Sequence, residues 1–229
     1  MTDHFLKANK NRSKNTQDLY EYVLRSYNSG KPLPTNPNSR AIFVRTINAC
    51  WNWGLKTGLI DKANKLVEDT KGVARKRVYS KDELDLMFNE IRDDDFNRFV
   101  KFAYYTGARS GEIRHIQPQN LSDGSLVAFG KTGRRIIKIS TQASTLIAKQ
   151  SPLWNYSKDY VSHHFKKEVR RLGIKDARFH DLRRTFGLNL IKQGMSIYKV
   201  SKLLGHKSVR TTEQHYAPLL TVDIEEFIL

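Results

Sequence analysis

Residues 126–139 read Leu-Val-Ala-Phe-Gly-Lys-Thr-Gly-Arg-Arg-Ile-Ile-Lys-Ile. Apolar and β-branched residues stand on both sides of a turn bounded by two glycines, which predicts a β-hairpin. The segments before and after this hairpin place apolar residues at helical spacing. The sequence therefore predicts a mainly α protein: a small helical N-terminal domain, then an α+β domain with a small antiparallel sheet.

Two groups of helical patterns are separated by a charged, glycine-containing segment at 69–77, which predicts a linker. We expect a short helical domain over 1–68 and a larger domain over 78–229 with a C-terminal tail at 217–229. In the larger domain, Ser80 and Glu83 form the capping-box pattern of a helix start. Helical patterns in the chain cover 18–27, 39–56, 80–91, 95–105, 141–149, 160–172, 181–193, 196–204 and 208–215.

The chain of 229 residues carries a formal net charge of +17, unevenly distributed. The net charge is +9 over 1–77, −3 over 78–130 and +15 over 131–211. Two basic blocks separated by a slightly acidic one predict two surfaces that contact a polyanion such as double-stranded DNA. A generally basic surface without a specific partner is the alternative.

Several classes of protein are excluded by composition. A single cysteine, Cys50, leaves no internal disulfide and no cysteine-rich zinc module. No apolar run reaches about 18 residues and the first twelve residues are polar, so we expect no membrane partner, no secretory signal and an intracellular protein. In a bacterial, archaeal or phage source it would be cytoplasmic and nucleoid-associated. Residues 124–132 resemble a phosphate-binding loop, but five residues separate the glycines and a strand follows, which argues against ATP or GTP.

Four segments hold residues that together suit chemistry on a phosphodiester. Arg109 and Glu112 are three apart, so the carboxylate could orient the guanidinium; His180 and Arg183 are three apart on one helix turn. Lys131 lies on the hairpin turn, and His206 precedes Tyr216 by ten residues. The candidate catalytic residues are Tyr216, Arg109, Arg183, His180, His206 and Lys131, with Glu112 in support.

These residue types favour attack on phosphorus by a phenol. Arginine offers planar, paired donors to the oxygens that gain charge in the transition state. A tyrosine hydroxyl needs cations or a base to lose its proton. The basic block 131–211 contains four acidic residues spread along it, so we predict that side chains neutralise the charge, with no metal and no other cofactor.

The sequence resembles the tyrosine site-specific recombinases of the phage integrase family. Four motifs carry the resemblance: Ala-Arg-Ser-Gly-Glu at 108–112, the hairpin lysine, His-Asp-Leu-Arg-Arg at 180–184, and Leu-Leu-Gly-His at 203–206 with a downstream tyrosine. The resemblance covers about Val78 to the end.

The resemblance implies strand cutting and rejoining through a 3′-phosphotyrosyl link, without metal or ATP. It implies that Arg109 and Arg183 bind the scissile phosphate. Lys131 would act as general acid toward the leaving 5′ oxygen, and Tyr216 would be the nucleophile. His180 would assist proton transfer and His206 would hydrogen-bond the phosphate.

The implied partners are double-stranded DNA, further copies of the chain in a tetrameric synapse, and accessory DNA-bending proteins. The tail would pack on its own domain or dock on a neighbouring subunit. Two alternatives stay open: a DNA-binding protein that kept the fold without turnover, and strand relaxation of the type IB topoisomerase kind. An SDS-stable DNA adduct would distinguish a recombinase from a DNA-binding protein without turnover. Relaxation of a plasmid that lacks a specific site would distinguish a topoisomerase from a recombinase.

Overall fold

A computed structural model describes residues 1–114, 116–122, 124–130, 133–148 and 153–220. The chain divides into two compact units, Met1–Arg75 and Lys76–Leu229. The division falls inside the segment 69–77 for which the sequence predicts a linker. Among the described residues, no helix is both long and apolar enough to cross a membrane.

The first unit contains three helices, α1 (Thr2–Ala8), α2 (Lys14–Asn28) and α3 (Pro37–Lys56). The side chain of Asn36 caps α3 by accepting hydrogen bonds from the first backbone N–H groups of the helix. The sequence pattern places two of these helices, with shorter bounds, and misses α1. The three helices share a core of Phe5, Val23, Leu24, Phe43, Ile47 and Cys50.

The second unit surrounds one small sheet with helices. Its strands are β1 (Leu121–Ser122), β2 (Ser125–Gly130) and β3 (Gly133–Lys138), antiparallel in the order β1-β2-β3. Its helices, within the described residues, are α4 (Lys81–Glu90), α5 (Asp94–Thr106), α6 (Ser110–Ile113), α7 (Thr141–Ala148), α8 (Lys158–Arg171), α9 (Phe179–Lys192), α10 (Ile197–Leu204) and α11 (Val209–Leu220). The predicted fold class, mainly helical with a small antiparallel sheet, is confirmed.

Two helix ends in the second unit depend on glycine. Gly107 ends α5 with φ 60° and Gly205 ends α10 with φ 62°, a left-handed conformation that side chains with a Cβ atom rarely adopt. A Cβ atom on Gly107 would lie 2.4 Å from Phe186, and one on Gly205 would lie 2.5 Å from Arg135. Glycine at these two positions therefore allows the chain to turn shortly before Arg109 and directly before His206.

The main core combines residues of the sheet with residues of several helices. From α5 it takes Phe96, Phe99, Val100 and Phe102, which are completely buried. The capping box of Ser80 and Glu83 forms at the start of α4, as the sequence predicts. Helix α11 continues to Leu220, so the sequence-based end at residue 215 is wrong, and 217–220 of the predicted tail are helical. The rest of that tail, 221–229, lies outside the described residues.

Candidate active site

Arg109 occupies the turn between α5 and α6, where it stands at the N-cap position of α6. Glu112 approaches it as the spacing predicts: the backbone N–H of Arg109 donates to Oε2 at 2.8 Å and its Nη1 donates to Oε1 at 2.8 Å. Glu112 is 3% exposed, whereas about a third of the Arg109 side chain remains accessible. Glu112 therefore orients the Arg109 guanidinium, part of which stays open to solvent.

Arg135, on β3, is a second partner of Glu112 that the sequence analysis did not single out. Its Nε donates to Oε1 at 2.9 Å and its Nη2 donates to Oε2 at 2.8 Å, while Nη1 donates to the carbonyl oxygen of Leu203 at 2.9 Å. Burial alone would raise the pKa of Glu112, but these hydrogen bonds and those from Arg109 outweigh it and lower the pKa to about 2. Glu112 is therefore ionised throughout the neutral range.

A signal for Arg135 is present in the sequence. Arg135 pairs with Ala128 and Ile137 pairs with Leu126, so all four lie on one face of the hairpin. Three of the four are buried apolar residues. An arginine at the fourth position of such an alternation points into the protein, where it needs an acceptor.

Arg183 lies on α9 and is 4% exposed. Its Nη1 donates to the carbonyl oxygen of Gly107 at 2.6 Å, and its Nη2 donates to that of Leu204. Both acceptors are at helix C-termini, where unpaired carbonyl groups carry partial negative charge. Burial, together with the charges of Arg109 and Arg135, lowers the pKa of Arg183 to about 9, which leaves it cationic at neutral pH. One guanidinium thus joins the ends of α5 and α10.

The two candidate histidines lie near these arginines. Displacement of water by the surrounding protein, and the charges of Arg183, Arg184 and Arg109, lower the pKa of His180 to about 4, although its side chain still reaches solvent. Burial and the charges of Arg183 and Arg109 likewise lower the pKa of His206 to about 4. Both rings are therefore neutral at pH 7, and each can act as a proton acceptor or as a donor through one N–H.

Helix α11 carries Tyr216, which is 3% exposed and packs with Leu188, Val200 and Leu204. Its hydroxyl lies against Gly187, since a Cβ atom there would be 2.2 Å from the phenol oxygen. Gly187 is four residues beyond Arg183 on α9, about one helical turn. Burial raises the pKa of Tyr216 to about 12, partly offset by Arg183 and Arg184. The hydroxyl is protonated in this conformation.

Lys131, the remaining candidate, lies outside the described residues. Arg184, adjacent to Arg183, has different partners. Its Nη1 donates to Oδ1 of Asp181 at 2.7 Å and to the carbonyl oxygen of Arg77 at 3.2 Å. Among the residues described, no group of three or more histidine, cysteine or acidic side chains is arranged to hold a metal ion.

A cavity of about 850 Å³ begins at His180 and Ser110 and extends between α8 and the start of α9. Its lining contains both apolar and basic side chains. The cations on its lining are Lys158, Lys166, Arg170, Lys175 and Arg178. A basic surface that can attract an extended anion therefore lies beside His180.

Known proteins are similar to this chain in sequence and in fold. The model of the phage integrase family matches residues 141–221. The tyrosine recombinase XerA of Saccharolobus solfataricus is 26% identical over 165 residues, which cover 66% of this chain and 56% of that protein. The chain thus spans little more than half the length of this relative.

Solved structures share the fold. A lambda integrase dimer bound to a COC′ core site superposes with a TM-score of 0.79 at 18% identity, over 93% of each chain. A lambda integrase tetramer bound to a Holliday junction gives a TM-score of 0.78 at 18% identity, over 93% of this chain and 75% of that one.

Over residues 141–221 the chain is thus similar to the phage integrase family, and its fold is that of the lambda integrase structures.

Proposed function

We propose that this chain cuts and rejoins double-stranded DNA at specific sites, with Tyr216 as the nucleophile. The observation that carries the proposal is a pair of fixed arginines: Glu112 holds Arg109, and Arg183 joins the helix ends that precede Arg109 and His206. Two guanidinium groups held in this way match the two non-bridging oxygens of a phosphodiester.

In the proposed reaction the phenol oxygen of Tyr216 attacks phosphorus and displaces the 5′ oxygen of the next nucleotide. The phenol proton passes to His180, whose neutral ring can accept it, and Lys131 protonates the departing 5′ oxygen. Arg109, Arg183 and His206 stabilise the charge that develops on the phosphoryl oxygens; removing one such donor typically costs about 10²–10³ in rate. The reverse attack by a 5′ hydroxyl releases the enzyme.

Energy from ATP is unnecessary in this scheme because one phosphodiester replaces another. The phosphotyrosyl link stores the energy of the broken DNA bond, so that religation can follow with any correctly placed 5′ hydroxyl. The protein must lower the high pKa of Tyr216 for this attack, and we propose that the phenol moves out of its apolar contacts toward Arg183 when DNA binds.

We further propose that copies of the chain assemble on DNA as a tetramer and act inside the cell, on sites carried by a mobile element or prophage. The solved tetramer on a Holliday junction, with its similar fold, supports this assembly. The tail 221–229 is a candidate for contact between neighbouring copies, and accessory DNA-bending proteins would help to bring distant sites together.

The test is trapping of a covalent intermediate on nicked suicide DNA. The DNA should carry the sequences that flank the gene for this protein, in the presence of EDTA. We expect an SDS-stable adduct with the natural chain and none with Tyr216→Phe, which should still bind the same DNA. Binding without an adduct on any cognate site would favour a DNA-binding protein without turnover, and relaxation of plasmid that lacks a site would favour a topoisomerase.

A further inference from the structure

His206 is held by its backbone and by one side-chain hydrogen bond. The residue follows Gly205 directly, and its backbone N–H donates to the carbonyl oxygen of Ser201 at 3.1 Å. Ring atom Nδ1 lies 2.7 Å from Oγ1 of Thr212. The backbone therefore fixes where the residue sits, and Thr212 fixes how the imidazole ring is turned.

Thr212 is completely buried on α11, four residues before Tyr216 and on the same helix face. A buried hydroxyl in an apolar setting needs a hydrogen-bond partner, and within the described part of the chain the partner recorded for this one is His206. The hydroxyl can rotate, so it is able to donate its proton to Nδ1 as well as to accept one.

The direction of this hydrogen bond decides what the other ring nitrogen can do. If Nδ1 carries the proton and donates to Thr212, Nε2 has only a lone pair, which repels an anion. If the hydroxyl of Thr212 donates to Nδ1, the proton is on Nε2, which can then donate to a phosphate oxygen. Phosphate oxygens only accept, so a useful contact requires the second arrangement.

We propose that Thr212 is a positioning residue that selects the Nε2–H tautomer of His206 and aims it at the scissile phosphate. The inference rests on the proposed function for its consequence in catalysis, but the tautomer itself is a property of the free protein. Thr212 and Tyr216 share one helix, so α11 carries both the proposed nucleophile and the residue that orients His206. Nucleophile and phosphate ligand are thereby assembled by the same element.

Three variants of the full chain test the proposal. Thr212→Val removes the hydroxyl at nearly constant shape, Thr212→Ser keeps a hydroxyl, and Thr211→Val makes the same change at the neighbouring threonine. Long-range ¹H–¹⁵N NMR of the imidazole nitrogens, assigned by loss of the signal in His206→Gln, reports the tautomer without any DNA.

We expect the natural chain and Thr211→Val to show the Nε2–H tautomer, and Thr212→Val to show a mixture. With suicide DNA, Thr212→Val should form the adduct about 10-fold to 100-fold more slowly, as for other losses of a partner that orients a site ligand, at unchanged DNA affinity. Thr212→Ser should recover most of that rate.

An unaltered Nε2–H tautomer in a folded Thr212→Val variant would overturn the proposal. Equal loss of rate in Thr212→Ser and Thr212→Val would also overturn it, because the methyl group and not the hydroxyl would then be responsible. If the natural chain forms no adduct on any DNA, the proposed function fails, while the NMR comparison still decides whether Thr212 sets the tautomer.

Discussion

At the scale of single residues, the buried carboxylate of Glu112 does the most to organise the site. It accepts hydrogen bonds from Arg109 and from Arg135 on different elements. Buried charges are tolerated when they are paired, and removal of one partner leaves the other uncompensated. The positions of both arginines therefore depend on one side chain that would never touch the substrate.

The first prediction concerns Arg135→Met. This change leaves Glu112 buried with Arg109 as its remaining charged partner, so the free energy of unfolding should fall by about 3–5 kcal/mol. Chemical denaturation measures the loss. Arg134→Met is the matched control, because Arg134 is the exposed neighbour on the same strand and should change stability little. Equal stability of the two variants would show that Arg135 contributes nothing through Glu112.

The second prediction concerns pH. The pKa of His206 is about 4 in the folded chain, below its ordinary value of 6.5, so the unfolded chain binds more protons between these values. Its contribution to stability is complete above pH 6.5 and is lost as the pH falls from 6.5 to 4. Glu112, with a pKa of about 2, loses its contribution only at lower pH, between about 4.5 and 2.

Urea unfolding at pH 7, 5.5 and 4.5 measures this dependence. His206→Gln should lose less stability over the range than the natural chain, since glutamine does not titrate. His180 and His215, whose pKa values are also lowered, remain in both proteins and cancel in the comparison. Parallel curves for the two proteins would contradict the assigned shift.

At the scale of elements, helices α9 and α11 pack together where Gly187 meets Tyr216, the proposed nucleophile. A methyl group on Gly187 would overlap the Tyr216 hydroxyl. We predict that Gly187→Ala destabilises the second unit by about 1–3 kcal/mol, the usual cost of overpacking. Thermal melting measures this. Gly111→Ala on α6, where a Cβ atom meets nothing within 4 Å, is the control and should melt close to the natural chain.

Features within single elements could be predicted from the sequence, whereas contacts between elements could not. The capping box at Ser80, the glycine end of α5 and the hairpin follow local rules, so their patterns are visible in the sequence. The contacts of Arg135 with Glu112 and of Thr212 with His206 join residues from different elements. Such contacts arise from packing, which a single sequence does not reveal. The catalytic roles assigned to the seven candidate residues remain predictions.

At the scale of the whole molecule, positive charge is the dominant property, with a net +17 over the chain. The basic opening of the cavity beside His180 is one place where this charge meets the candidate site. Phosphate contacts release bound counterions, so DNA affinity should depend steeply on salt. With six to ten contacts, we expect the affinity to fall by roughly 10³–10⁵ between 50 and 200 mM salt.

Fluorescence anisotropy of labelled duplex DNA across this range measures the slope. Lys166→Gln, on the cavity lining, should make the slope shallower by about one contact, whereas Lys101→Gln, on α5 away from this cavity, should leave it unchanged. A flat response to salt would contradict electrostatic binding altogether.

The pairing of Glu112 has one more consequence. A single carboxylate faces the guanidinium groups of Arg109 and Arg135, and the charge of Arg183 acts on the same pocket. Positive charge therefore exceeds negative charge, and the mutual repulsion opposes folding. An anion that enters between these groups offsets the repulsion, so binding and folding are thermodynamically linked. The phosphate backbone of bound DNA would thus act as a counterion for these arginines, and the protein should be more stable against unfolding with DNA bound than without it.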